Sequence, residues 1–266
     1  AAPAGHKRIM ALDPGFKNGV KIAIIDEQGN FLKDTVIYPH PPQNKIEQSK
    51  ERLINLIKSF KVNLIALGNG TASRETDKLI SELINKEELD LICVTVSESG
   101  ASIYSASEIA SKEFPNLDVT IRGAISIARR LQDPLSELIK IDPESIGIGQ
   151  YQHDIKTSLL KDALNIVIED CVNKVGVDLN SASESLLEHV SGLSKTLANN
   201  IVKHRSENGP FSNRNQLKHV KGIGNKSFEH CAGFLRIQSK DQPLDASGVH
   251  PESYQDVTCM AKELNI

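Results

Sequence analysis

Residues 8–32 read RIMALDPGFKNGVKIAIIDEQGNFL, and this stretch decides the fold of the first part of the chain. An apolar run over residues 9–12 ends at Asp13, because the proline and glycine that follow remove a strand donor and allow a turn. A second apolar run covers residues 20–25, and polar residues after it predict a hairpin turn into a third strand within residues 31–38. The first strand of this antiparallel meander therefore ends in a carboxylate, although an Asp before Pro-Gly also serves as a simple turn cap.

Helical and strand patterns alternate downstream of the meander. Residues 45–60 have helical apolar spacing, and the compact apolar runs 62–67 and 91–96 suit buried parallel strands. Each run opens into a loop and a further predicted helix, the first to about residue 85 and the second to about residue 114. This order predicts an α/β mixed sheet with helices on its faces, the arrangement with which ribonuclease-H-like nucleases and related phosphotransfer folds begin.

Two carboxylates follow predicted strands of this sheet. Asp13 ends the first strand and Glu98 follows the run 91–96, so both lie where α/β folds place their ligands. Such a pair can hold Mg²⁺ or Mn²⁺ for phosphodiester hydrolysis, although a single Glu in a Ser-rich loop is commonly just solvated. The glycines of residues 68–70 let a backbone approach an anion closely, but a plain helix cap by Thr71 or Ser73 is the simpler interpretation.

Charge is distributed unevenly along the chain. The formal net charge is −3 over 266 residues, yet residues 181–240 hold nine Lys or Arg against four Asp or Glu. A basic segment on an acidic body suggests a polyanionic partner, while a solvated basic face is the default alternative. The four cysteines have no CxxC spacing, which argues against a zinc site or a disulfide framework, and no membrane-length apolar run or signal peptide is visible. We expect an intracellular protein, nuclear if eukaryotic and otherwise cytoplasmic.

The basic segment contains two copies of a helix–hairpin–helix pattern. VSGLS at residues 190–194 and VKGIG at residues 220–224 each separate two predicted helices. The glycines permit a tight hairpin whose N–H groups lie against phosphate oxygens, and lysines beside it add charge. No reader of base edges is evident, so the pattern predicts sequence-independent binding of RNA or DNA, with protein docking as the alternative. The candidate nucleic-acid-binding residues are Gly192, Ser194, Lys195, Lys221, Gly222, Gly224, Asn225 and Lys226.

Several long motifs resemble one known family. These motifs are ALDPGFKNG, ALGNGTASRETD, VSESGASIYSASE, RGAISIARRLQDP, KIDPESIGIGQYQHD and LDASGVHPE. In this order they are similar to the core of the Tex transcription-accessory family, and especially to its eukaryotic relative with an S1 RNA-binding domain. The resemblance implies a YqgF-type ribonuclease-H-like domain followed by an all-α tandem helix-hairpin-helix domain. It also implies these parts: 8–133 YqgF domain, 134–180 helical connector, 181–240 tandem helix-hairpin-helix domain, and 241–266 a tail toward an S1 domain outside this sequence.

The same resemblance bears on catalysis. YqgF-type resolvases use an Asp on the first strand, a Glu after a later strand and an Asp at the start of a late helix. Asp13 and Glu98 match the first two positions, but the third carries Arg122, and Asp133 lies about three helical turns downstream. Since Arg122 would repel a metal ion, we expect a degenerate, non-hydrolytic domain and assign it no cofactor. The alternative is a structure-selective, Holliday-junction-resolvase-like nuclease that uses Asp13, Glu98 and Asp133 with Mg²⁺ or Mn²⁺.

The overall expectation is a nucleic-acid-binding scaffold from a transcription or RNA-associated factor. The expected partners are RNA, DNA or both, together with the transcription machinery, and we expect no binding to a membrane. A third class of function is a platform whose hairpins dock a polymerase or chromatin partner, and strong salt dependence of nucleic-acid binding would argue against that as the sole role.

Overall fold

The predicted meander forms one side of a five-stranded mixed sheet, and its first strand is the central strand of that sheet. Its spatial order is β3-β2-β1-β4-β5, with antiparallel pairs in the meander and parallel pairs beyond it. The predicted α/β class of this part is therefore confirmed. The strands are β1 (Ile9–Asp13), β2 (Val20–Ile25), β3 (Phe31–Ile37), β4 (Leu64–Gly68) and β5 (Ile92–Val96).

Seven helices accompany these strands in the first part of the chain. The one helix predicted up to residue 114 is two, because Ser107 adopts an extended backbone and its side chain caps the second by accepting a hydrogen bond from the Ala110 N–H. The helices are α1 (Ile46–Phe60), α2 (Ser73–Lys86), α3 (Ala101–Ala106), α4 (Glu108–Glu113), α5 (Val119–Gln132), α6 (Pro134–Leu138) and α7 (Pro143–Ile146).

The two faces of the sheet carry separate cores, as the alternation of side chains along a strand requires. On one face, Met10 and Leu12 pack with α1 and α2. On the other face, Ile9 and Ala11 pack with α5, where small residues at the contact let the helix lie close to the sheet. Helix α5 is thus the element that covers the β1 end carrying Asp13.

The computed structural model describes residues 3–147, 149–150, 152–238 and 241–264. The chain divides into two compact units, residues 1–147 and 148–266. Residues 134–147, predicted to begin the connector, belong to the first unit, and Ile148 and Tyr151 of that connector lie outside the described residues. Within the described residues, no helix is long and apolar enough to cross a membrane.

The second unit is helical, as predicted, apart from a two-stranded parallel sheet. Its longest helix has an apolar side that is largely exposed, with Val172 its only buried residue among those described. The elements are α8 (Thr157–Val175), β6 (Val177–Asp178), α9 (Glu184–Leu187), α10 (Lys195–Asn208), α11 (Asn225–Cys231), β7 (Leu235–Arg236) and α12 (Tyr254–Leu264).

The segment after β7 packs onto the helical unit through one buried arginine. Arg214 is 1% exposed, and its guanidinium donates to the carbonyl oxygens of Leu235, Ser247 and Val249 and to the Tyr254 hydroxyl. A buried guanidinium needs such a full set of acceptors. Residues 241–264 are therefore part of the same unit, and α12 is the last of its described helices.

Candidate functional sites

Asp13 lies on the side of the sheet that α5 covers. Ile9 and Ala11 face α5, and a spacing of two residues places Asp13 on the same face at the end of β1. A Cβ built at Gly123 of α5 would lie 3.9 Å from the Asp13 Oδ2 atom. The helix thus passes the carboxylate with no side chain between them.

Glu98 reaches back over the glycines that follow β4. A Cβ at Gly68 or at Gly70 would overlap the Glu98 carboxylate, so Glu98 can hold this position only while both residues are glycine. The Asn69 Oδ1 atom accepts a hydrogen bond of 2.9 Å from the Glu98 N–H and fixes this loop. The glycine loop therefore seats Glu98. The predicted cap by Thr71 or Ser73 is wrong, because α2 begins after Ala72 without a side-chain cap.

Strand register brings the two carboxylates to the same place, as the sequence predicted. Leu12 pairs with Leu67, so Asp13 ends beside Gly68, the glycine under Glu98. The pKa of Asp13 is raised to about 6, mainly by burial and then by the Glu98 charge, while the charge of Lys21 opposes the shift. Burial also raises the pKa of Glu98, against a Gly70 backbone hydrogen bond and the charge of Arg130. The pair therefore resists carrying two negative charges.

Arg122 and Asp133, the other two residues considered for the predicted site, form their hydrogen bonds with other parts of the first unit. The Arg122 guanidinium donates to the carbonyls of Phe114 and Ser105 and to the Ser111 hydroxyl, so the expected repelling charge does not come from Arg122. Asp133 caps α6, where its two carboxylate oxygens accept hydrogen bonds from the backbone and side chain of Ser136. Neither residue joins Asp13 and Glu98.

Arg130 is the buried cation of the site, beside the less buried Lys21 that acts on Asp13, and the sequence argument missed it. It lies two turns along α5 from Gly123 and is 5% exposed. One guanidinium nitrogen donates to the carbonyls of Ser97 and Ser99 at 2.8 Å, on both sides of Glu98 in sequence. The RR pair at residues 129–130 was visible in the sequence, but no local pattern shows which strand end a helix residue faces.

These residues do not fit a three-carboxylate metal centre. Within the described residues, no group of three or more His, Cys, Asp or Glu could hold a metal ion. The pair Asp13 and Glu98 is accompanied by a buried guanidinium where a metal site needs further oxygen ligands. The chemistry that this arrangement supports is proton sharing and charge pairing, without a third ligand.

The two hairpins of the second unit have the same backbone. Gly192 and Gly222 both have positive φ, +84° and +89°, the left-handed region that favours glycine. Each hairpin packs on the helix that follows the other: a Cβ at Gly192 would clash with His230 of α11, and one at Gly222 would lie 3.1 Å from Leu197 of α10. The repeat is therefore a pseudo-symmetric pair, as its sequence predicted.

The hairpins differ in how their second helices begin. Ser194 caps α10 by accepting a hydrogen bond from the Leu197 N–H, whereas Gly224 precedes α11 with no side-chain cap. Gly224 has an ordinary φ of −91°, and a Cβ there would meet no atom within 4 Å. Neither strain nor packing in the described chain requires glycine at this position. Its bare backbone suits close approach by a group from outside the chain.

The lysines beside the two hairpins also differ, because those at the second hairpin have more freely available charge. Lys195 beside the first hairpin lies 3.7 Å from the Glu188 carboxylate. Lys221 and Lys226 beside the second hairpin are exposed, and neither has an ion-pair partner within the described residues. Asn225 is exposed at the start of α11. The second hairpin thus presents more available positive charge.

Together the two units define a class of protein: a ribonuclease-H-like domain joined to tandem helix-hairpin-helix motifs. Residues 7–132 match the Tex protein YqgF-like domain, residues 172–236 match the helix-hairpin-helix motif, and residues 242–266 match an HHH domain. The chain belongs to the Tex family.

Relatives come from bacteria and animals. The chain is 55% identical to the transcriptional accessory protein Tex of Neisseria gonorrhoeae over 267 residues, which is 100% of this chain and 35% of the relative. It is 55% identical to protein tex of Bordetella pertussis over 96% of this chain and 32% of the relative. It is 49% identical to human S1 RNA-binding domain-containing protein 1 over 89% of this chain and 24% of the relative. The chain thus spans about a third or less of these relatives, and both branches of the family match it.

Proposed function

We propose that this chain is a nucleic-acid-binding core that grips phosphate backbones through its helix-hairpin-helix unit, independently of sequence, and that its YqgF domain does not hydrolyse nucleic acid. The observation that carries the proposal is the second hairpin, where a helix start without a side-chain cap and an open Gly224 lie between two exposed lysines. Backbone N–H groups and lysines are the usual donors to phosphate oxygens. Such a chain would work where nucleic acid is found, in a nucleus or a bacterial cytoplasm.

The absence of sequence preference follows from the same surface. The exposed residues at the hairpin are two glycines, two lysines and one asparagine, and phosphate contacts carry no sequence information. The described part of the chain offers no row of exposed aromatic side chains on which bases would stack. We therefore propose binding to duplex or structured nucleic acid, RNA or DNA, as the shared chemistry.

The test is fluorescence anisotropy of labelled duplex DNA and of a structured RNA with the full chain in EDTA, at several NaCl concentrations. We expect binding to both, equal affinity for scrambled sequences, and a linear fall of log affinity with log salt. Binding that ignores salt, or no binding, would overturn the proposal and leave docking to a transcription or chromatin protein as the role of the hairpins.

A further inference from the structure

Buried polar atoms without a hydrogen-bond partner gather around Arg130. Five of the six such atoms among the described residues are the Glu98 Oε1, the Ser126 Oγ, the Arg130 Nε and Nη2, and the Glu137 Oε1; the sixth, the Arg8 Nε, is ion-paired with Glu27. A buried, unpaired polar atom costs free energy, so such atoms persist where their charges compensate each other or serve a function. Here two carboxylates and one guanidinium supply that compensation.

Arg130 is placed to act on Glu98. Its hydrogen bonds to the carbonyls of Ser97 and Ser99 hold the guanidinium against the loop that carries this carboxylate. The charges that act on it are those of Glu98 and Glu137, and the latter is itself 2% exposed and paired with Lys140 at 3.0 Å. With 5% exposure, Arg130 cannot turn out to solvent without breaking both backbone bonds. The positive charge behind Glu98 is therefore fixed.

We propose that Arg130, the buried cation behind Glu98, excludes divalent metal from the Asp13–Glu98 site by its charge, and that removing this charge opens a latent divalent-cation site even though Lys21 remains beside Asp13. This inference concerns the first unit and goes beyond the phosphate binding proposed for the second. Its reason is electrostatic: at an effective dielectric constant of about 20, a fixed unit charge a few ångström from a divalent ion lowers affinity by about a hundredfold or more. Glu98 already has its counter-charge from α5.

The test is a Mn²⁺ titration of the full chain, followed by paramagnetic broadening of the backbone amide signals of residues 13, 68–70 and 98. We expect no site-specific broadening of the wild type at millimolar Mn²⁺, and about hundredfold tighter binding by Arg130→Gln. Arg130→Lys keeps the charge and should behave as the wild type. Arg129→Gln is the matched control, because this neighbouring guanidinium binds Glu113 and the Gly29 carbonyl and does not contact the Glu98 loop.

A second variant keeps the proposal testable if Arg130→Gln fails to fold. Gly123→Asp adds a third carboxylate at the helix position facing Asp13, where a Cβ meets only the Asp13 Oδ2 within 4 Å. Because Arg130 remains, this variant should still show no site-specific Mn²⁺ binding. Tight Mn²⁺ binding by the wild type or by Gly123→Asp, or a folded Arg130→Gln that gains nothing, would overturn the proposal. None of these outcomes depends on the hairpins, so they leave the phosphate-binding proposal to its own test.

Discussion

The two units place their positive charge in opposite ways. In the helical unit, Lys221 and Lys226 lie exposed beside an open hairpin, whereas in the sheet unit Arg130 is buried behind Glu98. An exposed lysine is available to an external phosphate, while the charge of a buried guanidinium is compensated by the protein's own carboxylate. The position of a charge, more than the net charge of −3, therefore indicates what each unit can bind.

Reversing the exposed charges should have the largest effect. Lys221→Glu combined with Lys226→Glu should weaken duplex binding roughly a hundredfold at low salt and reduce the salt slope by about 2, because two phosphate contacts are lost. The measurement is anisotropy across NaCl concentrations. The matched control is Lys156→Glu with Lys161→Glu, which changes the same charge at the start of α8, the opposite end from Asn173 and its hydrogen bond to Ser191 of the first hairpin. An equal loss in the control would mean that only the overall charge of the unit matters.

Closing the open hairpin should have the next largest effect. Gly224→Val puts a side chain where no atom lies within 4 Å and where φ is ordinary, so the fold should survive. Loss of a charge-assisted contact between a backbone N–H and phosphate should weaken binding about tenfold. Affinity and the thermal midpoint are measured on the same sample. Unchanged affinity in a folded variant would contradict close approach at this glycine.

Neutralising Asp13 should stabilise the sheet unit in a pH-dependent way. The pKa of Asp13 is about 6 in the folded state against an ordinary value of 3.8, so this group favours folding below pH 3.8 and its contribution is lost as the pH rises through 6. Asp13→Asn should therefore raise the free energy of unfolding by about 1–3 kcal/mol at pH 8, and the gain should vanish at pH 4. The measurement is urea-dependent hydrogen exchange of the β1–β2 peptides.

Asp90→Asn is the control for this prediction, because that carboxylate is exposed on the same unit. A stabilisation of the same size at both pH values would show that the negative charge of Asp13 does not destabilise the fold. The result separates a buried carboxylate pair from a simple turn cap, since a cap would be weakened by losing its ionised form.

The first hairpin should respond least. Lys195 already lies 3.7 Å from Glu188, so Lys195→Glu should weaken duplex binding about threefold or less. Glu188→Gln frees the same lysine and should raise affinity slightly, which anisotropy at low salt can detect. If Lys195→Glu cost as much as the double change at the second hairpin, the two hairpins would be equivalent and the distinction drawn from their charges would fail.

Local patterns predicted the parts that depend on neighbouring residues. The meander, the end of β1 at Asp13 and both hairpin glycines follow from apolar alternation, Pro-Gly and repeated VxGhx spacing, all within a few residues. Long-range placement was beyond such patterns. The glycines under Glu98 and the arrival of Arg130 behind it depend on how two loops and α5 meet.

The error at Arg122 has a specific physical reason. Consecutive helix residues point about 100° apart, so a one-residue difference decides whether a side chain faces the sheet end or the neighbouring helices. Gly123 faces Asp13, while Arg122 turns to α3 and α4. The expected cation exists in the site, but it comes from two turns further along α5. Asp133 similarly had a local use, as a helix cap, that its position before Pro134 indicates.

The central claim is that this chain holds nucleic acid and does not cut it. The most direct measurement is to saturate the full chain with labelled branched DNA or structured RNA in Mn²⁺, confirm binding by anisotropy, and run the same samples on a denaturing gel. The account predicts bound but intact strands, identical with Mn²⁺ and with EDTA. Cleavage products that need Mn²⁺ and disappear in Asp13→Asn would contradict it and make the first unit a nuclease.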